Sequence, residues 1–152
     1  MARNYAVTGS ATNTASATLP LITLVSSASI QPKIHDIQIS SEAAPADHAA
    51  KYQLQRITTT GTAGSSITPS KLDLSHPAAG VTSGLAVFSV APTLTANDIP
   101  LLVSVNQRIP YRWACKDGKE IVLPATANAG VALMSLVVDS AFLTNFCFHF
   151  EE

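Results

Sequence analysis

The last twelve residues of the chain, Ala141–Glu152, show the clearest alternation of apolar and polar side chains. An extended chain would carry Phe142, Phe146, Phe148 and Phe150 on one face and Leu143, Asn145, Cys147 and His149 on the other. A repeat of two residues is typical of a β-strand that buries one face. We therefore predict a terminal strand whose phenylalanines belong to the protein core.

The segment Lys33–Ser40 repeats this pattern with one fault. His35, Ile37 and Ile39 are predicted to face one way, and most of the intervening polar residues to face solvent. Ile34 breaks the alternation at one end. We interpret the segment as a half-buried strand.

Residues Tyr52–Thr59 also alternate, with Tyr52 and Leu54 on the apolar face. The alternation loses phase near Arg56. An extra residue in one strand of a pair shifts the alternation in this way. We expect a β-bulge or a strand bend at Arg56.

Two strand-like runs in residues 106–130 flank a turn signal, Asp117-Gly118, and include the only tryptophan. A three-residue loop, Lys116–Gly118, gives Gly118 a positive φ and places Tyr111, Trp113, Ile121 and Leu123 on one face. A two-residue loop would mix apolar and polar side chains on both faces. We therefore predict the three-residue hairpin.

Further strands are predicted from apolar runs bounded by turn residues: Thr18–Ser26, Leu85–Val90, Ile99–Val105 and the buried central run Ala129–Val138. The total of about eight to ten short strands is typical of a sandwich or barrel. We predict an all-β fold, a jelly-roll-like antiparallel β-sandwich. An immunoglobulin-like sandwich ranks second, because Trp113 precedes both cysteines instead of lying between them.

The chain is divided here into a connector and one domain. Residues 1–17 are predicted to form an extended N-terminal arm, because their few apolar side chains cannot order them without a neighbour. Within it, a short strand at Arg3–Thr8 is the alternative to an extended arm. Residues 18–152 form the single jelly-roll domain. Within it, Thr60–Gly84 is rich in Gly, Pro, Ser and Thr and is predicted to be one long functional loop, anchored by Ile67, Leu72 and Leu74. A disordered insertion is the alternative for this loop.

The composition changes this picture in one respect. Hydrophobic residues make up 47% of the 152 residues, but charged residues make up only 12%, about half the usual share. A surface with so few charges favours association, so we expect much of it to be covered by partners or by further copies of the chain. The net charge of −1 and the scattered basic residues argue against nucleic-acid binding.

No apolar run approaches the roughly 20 residues that a membrane-spanning helix needs. The first 17 residues lack the continuous apolar region of a signal peptide. We therefore expect a soluble, unexported protein without a membrane partner.

The residue pattern predicts no enzyme, no metal site and no cofactor. The four histidines lack ligand spacing, no GxSxG or catalytic cysteine signature occurs, and no phosphate-binding glycine loop is present. Most carboxylates fall in predicted turns or at the C-terminus, which does not suit a catalytic pair. Cys115 and Cys147 are interpreted as free thiols on strands, with a disulfide between them as the alternative.

Aromatic and arginine side chains are enriched in protein interfaces. We select as candidate interface residues one set from the arm, the long loop and the exposed strands: Arg3, Tyr5, Arg56, Ile67, Leu72 and Arg108. Tyr111 and Arg112 are comparable candidates. Each of the arginines also fits a simple surface or cross-strand role.

The chain resembles a group of small virion proteins of tailed bacteriophages along nearly its whole length. The resemblance rests on four segments: RNYAVTG, TLPLITLVSSASIQPKIHDIQIS, AAPADHAAKYQLQRITTTGTAGSSITPSKLD and NQRIPYRWACKDGKEIVLPATANAGVAL. It implies a structural protein of the virion, made in the host cytoplasm, that decorates or cements the head. It further implies a homotrimer and a contact with the major capsid protein.

A glycan- or receptor-binding jelly-roll module of a phage fibre or tail is the alternative function. In that case Trp113 or Tyr111 would stack on a sugar. The two functions differ in the exposure that they require of Trp113.

Overall fold

The computed structural model describes residues 2–13, 15–43, 45–137 and 141–152. Within these ranges the chain forms twelve β-strands and no helix. The strands are β1 Asn4–Asn13, β2 Ile22–Val25, β3 Lys33–Glu42, β4 Ala49–Ile57, β5 Ser65–Ile67, β6 Ser70–Lys71, β7 Thr82–Leu85, β8 Leu101–Asn106, β9 Tyr111–Ala114, β10 Ile121–Val122, β11 Gly130–Val137 and β12 Phe142–Glu151.

The strands form two antiparallel sheets of six strands each. Sheet A has the order β10-β3-β12-β1-β6, with β9 also paired to β3, and sheet B has the order β5-β7-β2-β11-β4-β8. The chain can be followed as one long hairpin that pairs β1 with β12, β2 with β11, β3 with β9 and β10, and β4 with β8. These pairs fall alternately in the two sheets, which is the winding of a jelly roll. The predicted all-β jelly-roll-like sandwich is confirmed.

The core lies between the two sheets. Each sheet contributes one apolar face, and the largest fully buried side chains are Tyr5, Ile34, Ile37, Phe148 and Phe150 from sheet A and Ile22, Leu24, Tyr52, Leu54 and Leu133 from sheet B. The predicted phenylalanine stripe of β12 is buried throughout. The predicted central strand is β11, which lies between β2 and β4.

The prediction that residues 1–17 form an arm is wrong for residues 4–13, and the alternative of a strand at Arg3–Thr8 agrees with the structure. Residues 4–13 form β1, which pairs with β12 along its full length from Asn4↔Glu151 to Asn13↔Phe142. Tyr5 and Val7 are fully buried in the core. Ten backbone pairings and a few inward apolar side chains order this segment within its own chain, so the sandwich begins at β1.

The long loop predicted at Thr60–Gly84 contains three short strands. β5 and β7 pair at one end of sheet B, and β6 pairs with β1 at the same end of sheet A. Of the predicted anchors, Ile67 packs against the core, whereas Leu72 and Leu74 are exposed. The segment therefore closes one side of the sandwich.

The fault in the alternation of β3 is a β-bulge. His149 of β12 pairs with Asp36, and the next residue, Phe150, pairs with Ile34. Ile34, Ile37 and Ile39 point into the core. The prediction that His35 shares the face of Ile37 is therefore wrong, because the bulge turns both His35 and Asp36 to the outer face.

No register shift occurs at Arg56 in the pairing of β4 with β11. Ile57 lies on the outer face of sheet B and is buried there beneath Leu94 in a small second apolar cluster. The neighbouring main chains are joined by hydrogen bonds from Thr58 N to Thr93 O and from Thr95 N to Arg56 O. The predicted bulge is wrong. The alternation of apolar and polar residues is lost near Arg56 because β4 buries apolar side chains on both of its faces there.

The predicted hairpin around Gly118 is wrong in its pairing and right in its turn. β9 and β10 both pair with β3, at Asp36–Ile39 and at Lys33–Ile34, and do not pair with each other. Gly118 has φ +75°, and Lys119 N donates to Lys116 O. The segment between β9 and β10 thus forms a turn that connects two strands paired with the same strand, β3.

A strand is predicted at Leu85–Val90, but the observed strand β7 covers Thr82–Leu85 and does not continue beyond it. β7 stops at Leu85 because Ala86 and Val87 have φ of 44° and 46°, values that a strand cannot accommodate. The turn predicted at Asn97-Asp98 is present, with φ 61° at Asn97.

Candidate functional site

The bulge in β3 creates a charged cluster on the outer face of sheet A. The carboxylate of Asp36 is almost fully buried, with its side chain 6% exposed, and accepts hydrogen bonds from Nε of Arg112 at 2.9 and 3.1 Å. Nδ1 of His149 lies 3.7 Å from the same carboxylate. The ring of His149 stacks on that of His35, with centroids 6.2 Å apart.

Two opposing effects set the protonation of Asp36. Burial favours the neutral acid, but the hydrogen bonds and charge of Arg112 outweigh burial and hold the pKa of Asp36 below its ordinary value. The ionised carboxylate is therefore engaged by its neighbours. The arrangement is that of a structural ion pair on a bulged strand.

The two cysteines are free and half-buried. Burial raises the pKa of both thiols, and the charge of Glu120 adds to this effect at Cys115. Because the thiolate is the reactive form of cysteine, these surroundings disfavour a nucleophilic role for either residue.

The predicted interface residues are dispersed over the molecule. Tyr5 is fully buried, stacks on Phe150 and donates its hydroxyl to Pro77 O at 3.1 Å. Its selection as a surface anchor is wrong, because its side chain belongs to the core between the two sheets. Arg3, Leu72 and Arg108 are exposed.

Arg56 joins the two sheets at one end of the sandwich. Its Nη1 donates to Val122 O of β10 at 2.6 Å, and its Nε lies 3.6 Å from the carboxylate of Asp98. Arg56 is thus a half-buried tie between β4 and β10. This contact fits the cross-strand role that was the alternative in the sequence.

The exposed large apolar side chains of the described residues lie along the two open sides of the sandwich. The first group, named the β1/β6 side, lies in segments next to edge strands or β1: Leu72 and Leu74 follow β6, and Val87 and Val90 follow β7. Leu19 belongs to the same group because it lines a cleft with Val87 beside β1. The β8/β10 side, defined by Ile99, Leu102, Ile109 and Val122, follows the opposite ends of the sheets, formed by β8 and β10. Sequence patterns missed this segregation, because only the strand order places these residues together.

On the β1/β6 side, Leu74 is 88% exposed at the tip of a tight turn. The carboxylate of Asp73 accepts hydrogen bonds from the main-chain N–H of Ser75 at 2.9 Å and from its hydroxyl at 2.7 Å. His76 N donates to Asp73 O at 3.1 Å. These bonds order the turn that presents Leu74 to solvent.

A cleft of about 560 Å³ lies beside the C-terminal part of β1, Ser10–Thr12, where Leu19, Pro20 and Phe88 form much of its apolar wall. Leu72, by contrast, lies at the start of β1, where its N–H donates to Asn4 O. Val87 lines the cleft with a positive φ and is 86% exposed. A β-branched residue in this conformation is strained. The β1/β6 side thus has an apolar recess near one end of β1 and a projecting leucine near the other end.

The aromatic residues of β9 lie on the inner face of their strand. Trp113 pairs with Ile37 across the strands, and both Trp113 and Tyr111 pack against the core. Each side chain is partly exposed. This packing weakens the glycan-binding alternative, which needs an open aromatic face for a sugar.

No family model, curated protein or solved structure matches this chain. Among residues 2–13, 15–43, 45–137 and 141–152, no three His, Cys, Asp or Glu side chains group as metal ligands would. In the same part of the chain, no helix is long and apolar enough to cross a membrane.

Proposed function

We propose that this protein is a non-enzymatic structural protein of a tailed-phage virion, which decorates the head and stabilises contacts between major capsid subunits. The observation that carries the proposal is that exposed apolar side chains occur near both edges of the sandwich, around β6 and β7 at one edge and around β8 and β10 at the other. A protein that lies between neighbours in a lattice needs adhesive surfaces on more than one side.

Side chains of this size form contacts that are weak individually but bind tightly when many of them act together. Burying one exposed leucine contributes about 1.5–3 kcal/mol, which is insufficient for a stable complex in solution. Many such contacts act together when the neighbours are fixed in an array, since each further contact is then made within the assembly.

The low charge content and the resemblance to tailed-phage virion proteins support the same function. With 12% charged residues, the surface offers little repulsion between copies. The major capsid protein and further copies of the chain, as a homotrimer, are the proposed partners. The proposed location is the outer surface of the head, after synthesis in the host cytoplasm.

Virions that carry this protein provide the direct test. Cryo-electron microscopy of purified particles should place the twelve-stranded sandwich on the head in many symmetry-related copies, and mass spectrometry should detect the chain in the same particles. Heads without this density, or density confined to the tail or fibres, would contradict the proposal.

A substitution on the β1/β6 side tests the adhesive role. Heads assembled with the double variant Leu72→Ser, Leu74→Ser should retain fewer copies after washing than heads with the unchanged protein. The matched control is Lys116→Ser, an exposed change on the turn between β9 and β10, which should leave the copy number unchanged. Equal retention of all three proteins would remove the β1/β6 side from the adhesive surface.

A further inference from the structure

β8 is the longest of the strands that end the two sheets. It has six residues, whereas β5 has three, β6 and β10 have two each and β9 has four. Proteins protect sheet edges with short strands, charged side chains, proline or bulges. β8 has the sequence LLVSVN and contains no charge and no proline. It is an unprotected edge.

The main-chain groups of Leu102 and Ser104 point to the open side of β8. Gln107 N donates to His48 O at 2.9 Å, in the register that pairs Ala49 with Asn106. Residues in an antiparallel pair direct their N–H and C=O groups alternately towards the partner and away from it. Counting back from Gln107, Leu102 and Ser104 face away from β4. No strand in the described part of the chain pairs with β8 on that side.

We propose that β8 pairs with β8 of a second copy of this chain about a two-fold axis. The two copies of sheet B then join into one continuous sheet. In this antiparallel pairing, Leu102 of each copy lies opposite Ser104 of the other copy. The two-fold axis passes between the two Val103 residues. This register forms about four main-chain hydrogen bonds between the copies.

The charges at the ends of β8 favour a second copy as the occupant. Asp98 precedes the strand with its carboxylate 49% exposed, and Arg108 follows it and is exposed. Asp98 also lies 3.6 Å from Nε of Arg56 in its own chain. Two-fold antiparallel pairing sets the end of β8 that follows Asp98 beside the end that precedes Arg108 in the other copy, and only uncharged side chains of β8 meet between these ends. The contact also covers part of the apolar side chains of Leu102 and Ile109, which are 53% and 61% exposed.

This pairing does not depend on the virion function, because it needs only the chain itself. It leaves the β1/β6 side free. In a head lattice it would join copies that belong to neighbouring trimers.

Sedimentation velocity of the purified protein over a concentration series tests the pairing. We expect a reversible dimer of about twice the 15.9 kDa chain mass. Leu102→Lys should raise the dimer dissociation constant about tenfold or more, since each copy then carries a charge on the paired edge. The matched control is Leu74→Lys, which adds the same charge on the β1/β6 side and should leave the constant unchanged. Circular dichroism and the thermal midpoint confirm that both variants are folded.

Hydrogen exchange gives a second measurement. The amides of Leu102 and Ser104 should become more protected as concentration rises, whereas the amide of Gly118 in its exposed turn should not. A strict monomer at all concentrations, equal weakening by both lysine substitutions, or pairing only with a different protein would each overturn the proposal.

Discussion

The guanidinium of Arg112 covers the carboxylate of Asp36 diagonally across two strands of sheet A. Arg112 pairs with Gln38 in the ladder of β9 with β3, and its side chain reaches past this neighbour to Asp36. The partners differ in exposure, at 65% for Arg112 and 6% for Asp36. The two halves of the ion pair should therefore respond differently to substitution.

Arg112→Ala should lower the free energy of unfolding at pH 7, and by more than Asp36→Asn does. It leaves a buried carboxylate without its main donor, which costs more than the loss of an average hydrogen bond. Asp36→Asn should cost less, because the arginine left behind remains in water. Urea denaturation of both variants checks this order, and an equal or smaller loss for Arg112→Ala would contradict it.

The same pair predicts a dependence on pH. The pKa of Asp36 in the folded protein is held below its ordinary value of 3.8, so the stabilisation is complete above that value and is lost as pH falls through the folded pKa. The stability difference between the unchanged protein and Arg112→Ala should be largest near neutral pH and should shrink below about pH 4.

The comparison requires unfolding curves at several pH values, with Arg108→Ala as control. Arg108 is an exposed arginine whose Nε lies 3.4 Å from a main-chain oxygen of Pro45, so its loss should show no such trend. A difference for Arg112→Ala that is constant from pH 7 to pH 3.5 would show that Asp36 does not supply it.

The sequence predicted strands best where one face is buried and the ladder is regular. The phenylalanine stripe of β12 follows a strict repeat of two and is buried as expected. The bulge at His35 and Asp36 escaped prediction because it depends on the register with β12, which the sequence of β3 alone does not specify. The charged cluster built on that bulge escaped for the same reason.

Surface assignments failed where burial comes from distant parts of the chain. Tyr5 looked exposed in a polar N-terminal segment, but its ring stacks on Phe150 in the core and its hydroxyl donates to Pro77 O. Leu72 and Leu74 looked like anchors because they are the apolar residues of a polar loop, yet both are exposed. The two apolar sides follow from the strand order and have no pattern in the sequence.

Glycine substitutions distinguish backbone strain from crowding. Gly118 has φ +75° and open space around its Cα, so Gly118→Val should cost about 1 kcal/mol from backbone conformation. Gly118→Asn should cost less, since asparagine tolerates this conformation. Gly61→Ala should cost more than either, because at φ +65° an added methyl group would also lie 2.5 Å from Val90 O.

Thermal and urea unfolding of the three glycine variants should give the order Gly61→Ala, Gly118→Val, Gly118→Asn from most to least destabilised. An unchanged midpoint for Gly118→Val would mean that the turn between β9 and β10 does not hold its positive φ in solution.

Neighbouring residues of β12 test the division of the strand into an inner and an outer face. Phe148 is fully buried between the sheets, and Cys147 lies on the outer face opposite Gln38. Phe148→Ala should lower the free energy of unfolding by about 3–5 kcal/mol, because it removes a large apolar group and leaves a cavity. Cys147→Ala changes the adjacent position and should cost less than about 1 kcal/mol, since the outer face can relax around a smaller side chain.

Equilibrium denaturation of the two variants measures the difference between their free energies of unfolding. Similar losses for the two variants would place β12 in a different orientation, with its phenylalanines no longer between the sheets.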